Sequence, residues 1–422
     1  MKISQIKNPE SIIGALLFPL FFLPFGIQNI RKVEGRICLI LFISFFGYQL
    51  IYHPEGTVFG NGADCARYAV VYSWASSLQN ISFGEFFVQL GTHDNVDYFN
   101  PILIFTVSRI TTNIHVYFMV YAFIFALFYI NNIYIVLNHC DKNLDTYWKL
   151  LFVVFSLIMS IHDFGGVRMP LAFQVYLYGV LKYVFLHSKK GFIWVCCSML
   201  VHFSMFIFVA VFFLFLVIYK MNVRYFGGLF IFAHILSSID IAFIQLLFSY
   251  LPGNMADRLF LYTNEANLEQ LTTGGKFYLG EMNLWGRLDS IILRNYIAIA
   301  FGWLFIRKVN LVGRYEFLFK LSLYIYSVAL LLSNMPSGYR FILPGAYICF
   351  ATVLIMTSND FKINRTLFLL NKWYSPVLVI FLFHRLRFII NEVGFSVFYT
   401  NFITMFFVDD NVPLLETIKS MI

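Results

Sequence analysis

The stretch that decides the fold is residues 161–208, IHDFGGVRMPLAFQVYLYGVLKYVFLHSKKGFIWVCCSMLVHFSMFIF. Arg168 and Pro170 open an apolar run that predicts a helix as far as His187, and a Lys-Lys turn follows it. The next apolar run carries His202 inside sequence of membrane-spanning length. A charged side chain at membrane depth costs about 3 kcal/mol or more, so Arg168 is a functional candidate unless it only anchors a helix end.

The composition of the chain is that of a polytopic membrane protein. Of 422 residues, 60% are hydrophobic, 20% aromatic and only 12% charged, and the mean hydropathy is +0.75. A soluble domain of this size is far less apolar, so we predict an all-α polytopic integral membrane protein that forms one domain over residues 1–422. Its net charge of +8 comes from basic residues scattered between apolar runs. That pattern indicates cytoplasmic loops and argues against nucleic-acid binding.

Hydropathy predicts about 11–13 transmembrane helices and two long outer loops, at residues 53–112 and 252–286. Pro19 and Pro24 should kink or break the first span. The basic turn RKVEGR should lie in the cytoplasm. Within the first outer loop, NGADCARYAVVYSW and SFGEFFVQL predict helices that lie at the membrane interface. The spans are predicted at 11–30, 37–52, 116–137, 147–161, 168–187, 191–220, 225–251, 287–306, 315–332, 341–356 and 367–383, where HRLR follows, with a further apolar run at 395–408.

Residues 191–220 are too long for one untilted span and short for two. The charges of the later loops decide between these alternatives. A hairpin that turns near His202 puts the loops around Lys220, Arg307 and Lys362 on the inner side. A single helix would not place these basic loops together on the inner side, against the rule that basic loops face the cytoplasm. We therefore predict the hairpin.

Arginine replaces lysine on the predicted outer face. The outer segments contain one lysine, Lys276, beside Arg67, Arg109, Arg168, Arg258, Arg287 and Arg340. Topology treats the two residue types alike, but the arginine fork matches phosphate and stays charged when partly desolvated. The pattern predicts an anionic ligand such as a diphosphate, bound by Arg67, Arg168, Arg287 and Arg340. The alternative is that these arginines bind lipid headgroups or cap outer loops.

Asp64 and His202 are the predicted acid–base residues. Asp64 lies four residues before Tyr68 on one helical face, although it could instead cap that helix. His202 could pack with Ser204, or it could deprotonate a sugar hydroxyl near neutral pH. The segment THDNVD at 92–97 could meet a metal, but its spacing is not specific, and six scattered cysteines predict neither a disulfide framework nor a zinc site. The other candidates on this side are His53, Glu85, His93, Asp94, Asp97, His162, Asp163, Asp257, Glu265, Glu269 and Glu281.

The order of these motifs resembles the EpsG family of Wzy-type polysaccharide polymerases. The resemblance covers about residues 31–356, and family members often carry Arg-Gln where this chain has Arg168 followed by Met169 and Pro170. The matching motifs are the basic turn, an outer G-x-D-x-x-x-Y (Gly62, Asp64, Tyr68), Arg-x-x-x-Ala (Arg168, Ala172), the Lys-Lys turn, His-x-Ser (His202, Ser204) and a late Tyr-Arg-Phe (Tyr339, Arg340, Phe341).

The resemblance implies a GT-C-like glycosyltransferase of the bacterial inner membrane. Such an enzyme moves a growing glycan from undecaprenyl diphosphate onto a lipid-linked repeat unit at the periplasmic face, without a metal or other cofactor, and works beside a chain-length regulator protein. Asp64, His202 and Arg168 would be catalytic, while Tyr68 and Tyr339 would contact the substrate. Two other classes stay open. One is a GT-C transferase that uses a polyprenyl-monophosphate sugar and a divalent cation, and the other is a lipid-linked oligosaccharide flippase or transporter.

Overall fold

The computed structural model describes residues 6–52, 64–78, 80–91, 97–140, 145–159, 168–237, 284–306, 311, 313–333, 341–359, 361–408 and 412–421. It is 83% helical, and the described residues contain no strand. The helices are α1 (Pro9–Leu17), α2 (Pro19–Gln28), α3 (Val33–Tyr48), α4 (Asp64–Ser77), α5 (Phe83–Gly91), α6 (Phe99–Ser108), α7 (Ile114–Asn138), α8 (Thr146–Ile158), α9 (Arg168–Leu186), α10 (Lys190–Val201), α11 (Met205–Ile218), α12 (Val223–Leu236), α13 (Leu284–Ile306), α14 (Arg314–Leu332), α15 (Ile342–Asn359), α16 (Phe361–Asn391) and α17 (Leu414–Met421).

The chain is an all-α polytopic membrane protein, as predicted. In the described ranges, six helices are long and apolar enough to cross a bilayer, namely α7, α9, α13, α14, α15 and α16. Six shorter apolar helices of 10–17 residues accompany them. A helix needs about 20 residues to span a bilayer untilted, so the number of crossings stays a prediction.

The predicted N-terminal span is interrupted at Pro19, one of the two prolines that were expected to kink or break it. Helix α1 ends before Phe18, and Pro19 begins α2, because a proline is tolerated in a first helical turn where no backbone donor is needed. Pro24 lies inside α2 without ending it. The basic turn was predicted too long, because α3 begins at Val33. Arg36 is buried there with its guanidinium 3.8 Å from the ring centroid of Tyr134, a contact that lets this charge enter a helix.

The last predicted span ends too early. It was predicted to end at Phe383 before HRLR, but α16 continues through HRLR to Asn391, where His384 binds Asp289 and Arg385 is buried. The apolar run at 395–408, whose role the sequence left open, forms two short 3₁₀ turns, Phe395–Phe398 and Thr404–Phe407. The buried Gln49 side chain holds this segment through hydrogen bonds with the hydroxyls of Ser396 and Thr400.

Both predicted outer loops contain helix. In residues 53–112, α4 and α5 match the two predicted interfacial helices, and α6 follows them. In the second loop α13 already begins at Leu284, so the prediction extends too far by residues 284–286. Residues 252–283 lie outside the described ranges.

The chain divides into two compact units. Unit 1 comprises Met1–His139, Ser160–Val209 and Arg385–Ile422, and unit 2 comprises Cys140–Met159 and Ala210–His384. Because the chain passes between the units four times, neither unit is contiguous, and the single domain over residues 1–422 stays a prediction.

Unit 1 is built on α3 against α7 and on the hairpin of α9 and α10. The two helices of the hairpin approach closely at Gly179, where an added Cβ would lie 2.6 Å from the backbone nitrogen of Val195. Small residues permit such backbone contact between apolar helices. The hairpin thereby holds Arg168, at the start of α9, beside the end of α10.

Unit 2 contains α14 against α12 and α15, and α15 against α8 and α13. Its helices are joined by buried polar contacts. The hydroxyls of Ser322 and Thr352 lie 2.6 Å apart, and the Trp148 indole donates to the carbonyl of Leu354 at 3.0 Å. Hydrogen bonds of this kind stabilise helix pairs where lipid gives no hydrophobic driving force.

Candidate functional site

Asp97 lies at the centre of a polar cluster in unit 1. It is buried and lies two residues before the start of α6. The amide of the intervening Tyr98 donates to the carbonyl of Leu200 at 3.2 Å, which ties this segment to the end of α10. The Asp97 carboxylate contacts Arg168 at 2.5 Å and the amide of Phe203 at 2.8 Å. Three segments that are distant in sequence therefore meet at one carboxylate.

Arg168 is the first residue of α9, as the sequence predicts. Its Nη1 donates to Asp97, and its Cζ lies 5.4 Å from the ring centroid of Tyr68, within the range of a cation–π contact. The Arg168 charge adds to the positive end of the α9 dipole, and a nearby anion is favoured by both. Its Nε is buried with no hydrogen-bond partner in the described part of the chain.

His202 lies at a break between two helices. Helix α10 ends at Val201, His202 is extended with φ −150° and ψ 121°, and α11 begins at Met205. The ring of Phe208 lies 5.9 Å from that of Tyr176 in α9, so the chain has turned back after His202. The hairpin predicted within residues 191–220, with its turn near His202, is therefore confirmed and consists of α10 and α11. Breaking the helix frees the amide of Phe203, and Asp97 satisfies it.

The hydrogen bond to Asp97 fixes the His202 tautomer. The Nδ1 of His202 lies 3.2 Å from both carboxylate oxygens. An ionised carboxylate can only accept, so Nδ1 carries the proton and the neutral ring keeps Nε2 as an acceptor. The His202 side chain is 21% exposed and that of Asp97 only 4%. This arrangement leaves the basic nitrogen Nε2 available to a ligand, while the hydrogen bond from Nδ1 to Asp97 fixes the orientation of the ring.

The surroundings of Asp97 determine its charge. Burial opposes ionisation of the carboxyl, but the hydrogen bond from His202, the Phe203 amide and the Arg168 guanidinium outweigh it and lower the pKa of Asp97 below its usual value. The carboxylate is therefore ionised at neutral pH. With a neutral His202, the charges of Asp97 and Arg168 cancel.

The structure brings together Arg168, His202 and Tyr68 from the predicted site. Arg67 and Asp64 lie in α4, and Arg287 lies in α13 of unit 2, but their side chains are outside the described part. Arg340 and Tyr339 are likewise not among the described residues. The roles assigned to Asp64, Arg67, Arg287, Arg340 and Tyr339 therefore stay predictions.

Other residues of the predicted site region have structural contacts. The Nη1 of Arg109 donates to the carbonyl of Ala75 near the end of α4 at 3.2 Å, which is the capping role that the sequence left open. Ser204 of the His-x-Ser motif lies in the turn after His202, and its hydroxyl is buried without a partner in the described ranges. Among those ranges, no group of three or more His, Cys, Asp or Glu side chains could hold a metal.

Asp97 is the residue that sequence reasoning undervalued. It was one of many acidic or histidine candidates, considered mainly for a metal. It lies 71 residues from Arg168 and 105 from His202, and no spacing rule connects such distances. The one available signal was an acidic residue shortly before an apolar helix, on the same predicted face as Arg168.

A second carboxylate–histidine pair lies in unit 2. The Nδ1 of His384 in α16 is 2.7 Å from an oxygen of Asp289 in α13. The side chains are 6% and 12% exposed, respectively. This pair joins two apolar helices, and its histidine is far less accessible than His202.

Comparison with known proteins supplies no relative. No family model matches the chain, and no curated protein or solved structure matches it.

Proposed function

We propose that the chain is a bacterial polysaccharide polymerase of the Wzy type. It would transfer a growing glycan from undecaprenyl diphosphate onto a lipid-linked repeat unit at the periplasmic face of the inner membrane. The observation that carries this proposal is the cluster of Asp97, Arg168 and His202, in which one buried carboxylate orients both a base and a cation. The motif order of the sequence supplies the choice of substrate.

The geometry supports general-base catalysis by His202. Nε2 would remove the proton from the acceptor sugar hydroxyl as its oxygen bonds to the anomeric carbon of the donor glycan. The bond from that carbon to undecaprenyl diphosphate breaks at the same time, and the diphosphate leaves with the electron pair. Asp97 stabilises the imidazolium that forms, as a carboxylate does behind a catalytic histidine.

The charge of the cluster changes in the direction that catalysis requires. Asp97, Arg168 and a neutral His202 sum to zero before reaction, and proton transfer to His202 makes the sum positive while negative charge develops on the leaving diphosphate. Interactions that strengthen only in the transition state raise the rate without binding the substrate too tightly. Arg168 keeps donors beyond the one bound to Asp97, and these would receive the diphosphate.

A deletion strain tests the polymerase directly. Without the gene, we expect a gel of surface polysaccharide to show a single capped repeat unit, and the wild-type chain should restore the ladder. Loss of every repeat unit would instead indicate a flippase, and an unchanged ladder would contradict both proposals. Complementation with the Asp97→Asn variant, produced at the wild-type level, links the result to the cluster.

Cysteine labelling tests the membrane side of the site. Tyr98 is 50% exposed beside Asp97, whereas the exposed Lys189 lies in the turn at the other end of the α9–α10 hairpin. With an impermeant thiol reagent, we expect Tyr98→Cys to react in intact cells and Lys189→Cys to react only after lysis. The reverse pattern would exclude a periplasmic site.

Chelation separates the polymerase from the metal-dependent alternative. We expect polymer formation in washed membranes to continue in EDTA, because cationic side chains would balance the leaving group. Loss of activity that magnesium or manganese restores would favour a polyprenyl-monophosphate transferase.

A further inference from the structure

The first helix of unit 1 starts beside the start of α3 and runs in the same direction. The amides of Lys7 and Asn8, just before α1, donate to the carboxylate of Glu34 in the first turn of α3. Further along α1, the thiol of Cys38 donates to the carbonyl of Ser11. Helices α1 and α3 are therefore parallel neighbours.

Helix α2 returns to the same end of α3. Gly26, near the end of α2, lies so close to α3 that an added Cβ would be 2.8 Å from the Leu39 side chain and 3.2 Å from the carbonyl oxygen of Gly35. Only residues 29–32 connect α2 to α3. The start of α1 and the end of α2 thus lie together at the start of α3, and the tip of this hairpin, around Pro19, points toward the other end of α3.

The hairpin is long enough for only half of a bilayer. Helix α1 has 9 residues and α2 has 10. At 1.5 Å per residue each helix is about 14–15 Å long, against about 30 Å for the hydrocarbon core. The direction changes at Pro19, which has no amide to donate to the carbonyl of Ala15. Residues 11–30, which the sequence predicts as one span, are too short in this arrangement to reach the opposite surface.

The outer face of the hairpin is apolar. Four of its side chains are each more than half exposed, namely Ile13, Phe18, Phe21 and Ile27. At the base of the hairpin, the exposed residues include the charged Glu10 and Lys32. An apolar surface with charges confined to one end suits a membrane, with the base among the headgroups and the tip among acyl chains.

The tip is closed from the other side by the segment that follows α16. This segment packs on the end of α3 through the rings of Phe406 and Tyr48, 5.1 Å apart. Its Phe402 amide donates to the carbonyl of Leu16 at 3.3 Å, near the end of α1. Carbonyls at a helix end have no partner within the helix, and at membrane depth only the protein can supply one. The tip is therefore built to lie inside the apolar layer.

We propose that α1 and α2 form a re-entrant hairpin that enters the membrane from the side of residues 31–36, with its exposed face among the acyl chains of that one leaflet. The partner is a single leaflet because both ends of the hairpin lie at one end of α3 and its length matches half of the hydrocarbon core. The start of α1 and the basic turn at 31–36 then face the same aqueous side. This arrangement does not depend on the chain being a polymerase.

Cysteine labelling at the two ends of the hairpin tests this topology. Glu10→Cys and Lys32→Cys replace exposed residues at the base, in a chain whose partly exposed Cys65, Cys196 and Cys197 are changed to serine. With an impermeant thiol reagent, we expect both positions to react from the same side of the membrane. Reaction from opposite sides is the result of a complete span and would overturn the proposal. Labelling of both positions in denaturant shows that each cysteine is present.

Spin labels in the reconstituted full chain identify what covers the hairpin. Phe21 is 76% exposed near the tip, so Phe21→Cys should leave the fold intact, and a thermal melt checks this. We expect oxygen to relax the label at Phe21→Cys strongly and a water-soluble nickel complex to relax it weakly, with the reverse order at Glu10→Cys. Relaxation at Phe21→Cys by the nickel complex would place the tip in water. Dipolar broadening between labels of two chains would assign the face to a second copy, and either result would overturn the leaflet as the partner.

Discussion

The two carboxylate–histidine pairs share one chemistry but differ in setting. Asp97 and His202 meet where a loop precedes α6 and where α10 ends, while Asp289 and His384 project from the long helices α13 and α16. The first histidine side chain is 21% exposed and the second 6%. Arg168 also binds the first carboxylate.

This difference shows that the accessibility of the histidine separates a candidate catalytic pair from a structural one. A histidine held by a carboxylate has the same tautomer in both places, but only an exposed Nε2 can reach a substrate. A buried pair between two helices chiefly orients them, and breaking it costs stability. Variants at matching positions of the two pairs test this distinction.

Asp97→Asn should have the largest effect. The amide can donate to Nδ1 and favour the wrong histidine tautomer, so we expect the polymerisation rate to fall by about 10³-fold or more. Removing one partner of a buried ion pair also destabilises by about 3–5 kcal/mol. Rates in membranes, normalised to folded protein, measure the first effect. Asp289→Asn is the control and should lower thermal stability but leave the normalised rate unchanged; equal loss from both variants would erase the distinction.

His202→Gln should follow closely. Loss of a general base lowers the rate by about 10²–10⁴-fold, and the remaining activity should lose the pH dependence contributed by the histidine. His384→Gln removes a buried hydrogen bond and should cost about 1–3 kcal/mol of stability with a normal rate per folded molecule. A pH–rate profile and a thermal melt on both variants check this pair. A full polysaccharide ladder from His202→Gln at normal expression would remove His202 from the mechanism.

Arg168→Lys should have an intermediate effect. The lysine keeps the charge beside Asp97 and the anchoring of α9 but loses the planar fork, so transition-state stabilisation should fall by about 2–4 kcal/mol. We expect most of the long-chain product to disappear while protein level and membrane insertion stay normal. Arg168→Ala tests the loss of charge as well. A normal ladder from the lysine variant would make Arg168 an anchor only.

Tyr68 variants should have the smallest effect. Tyr68→Phe keeps the ring face beside the guanidinium, whereas Tyr68→Leu removes it, and the difference should be about 0.5–2 kcal/mol in transition-state stabilisation. The ratio of the two normalised rates gives this value. A rate for Tyr68→Phe as low as that for Tyr68→Leu would assign the role to the hydroxyl and not to the ring.

Much of the fold near the site was predictable because local rules govern it. Pro19 marked the break between α1 and α2, and α9 begins at Arg168 as predicted. The break at His202 followed from counting charges in later loops. The start of α3 and the length of α16 were missed because buried charged residues, Arg36 and Arg385, continue a helix where sequence rules expect a loop.

The sequence by itself determined the membrane class and most helix positions, and it selected Arg168 and His202 as candidate site residues. Hydropathy, proline and charge act over a few residues, so these features can be read from the chain. Only the tertiary structure decided that Asp97 joins Arg168 and His202, and that His384 is buried while His202 is accessible. Both depend on which distant segments meet, because an ion pair or a loss of solvent exists only between groups that folding has brought together.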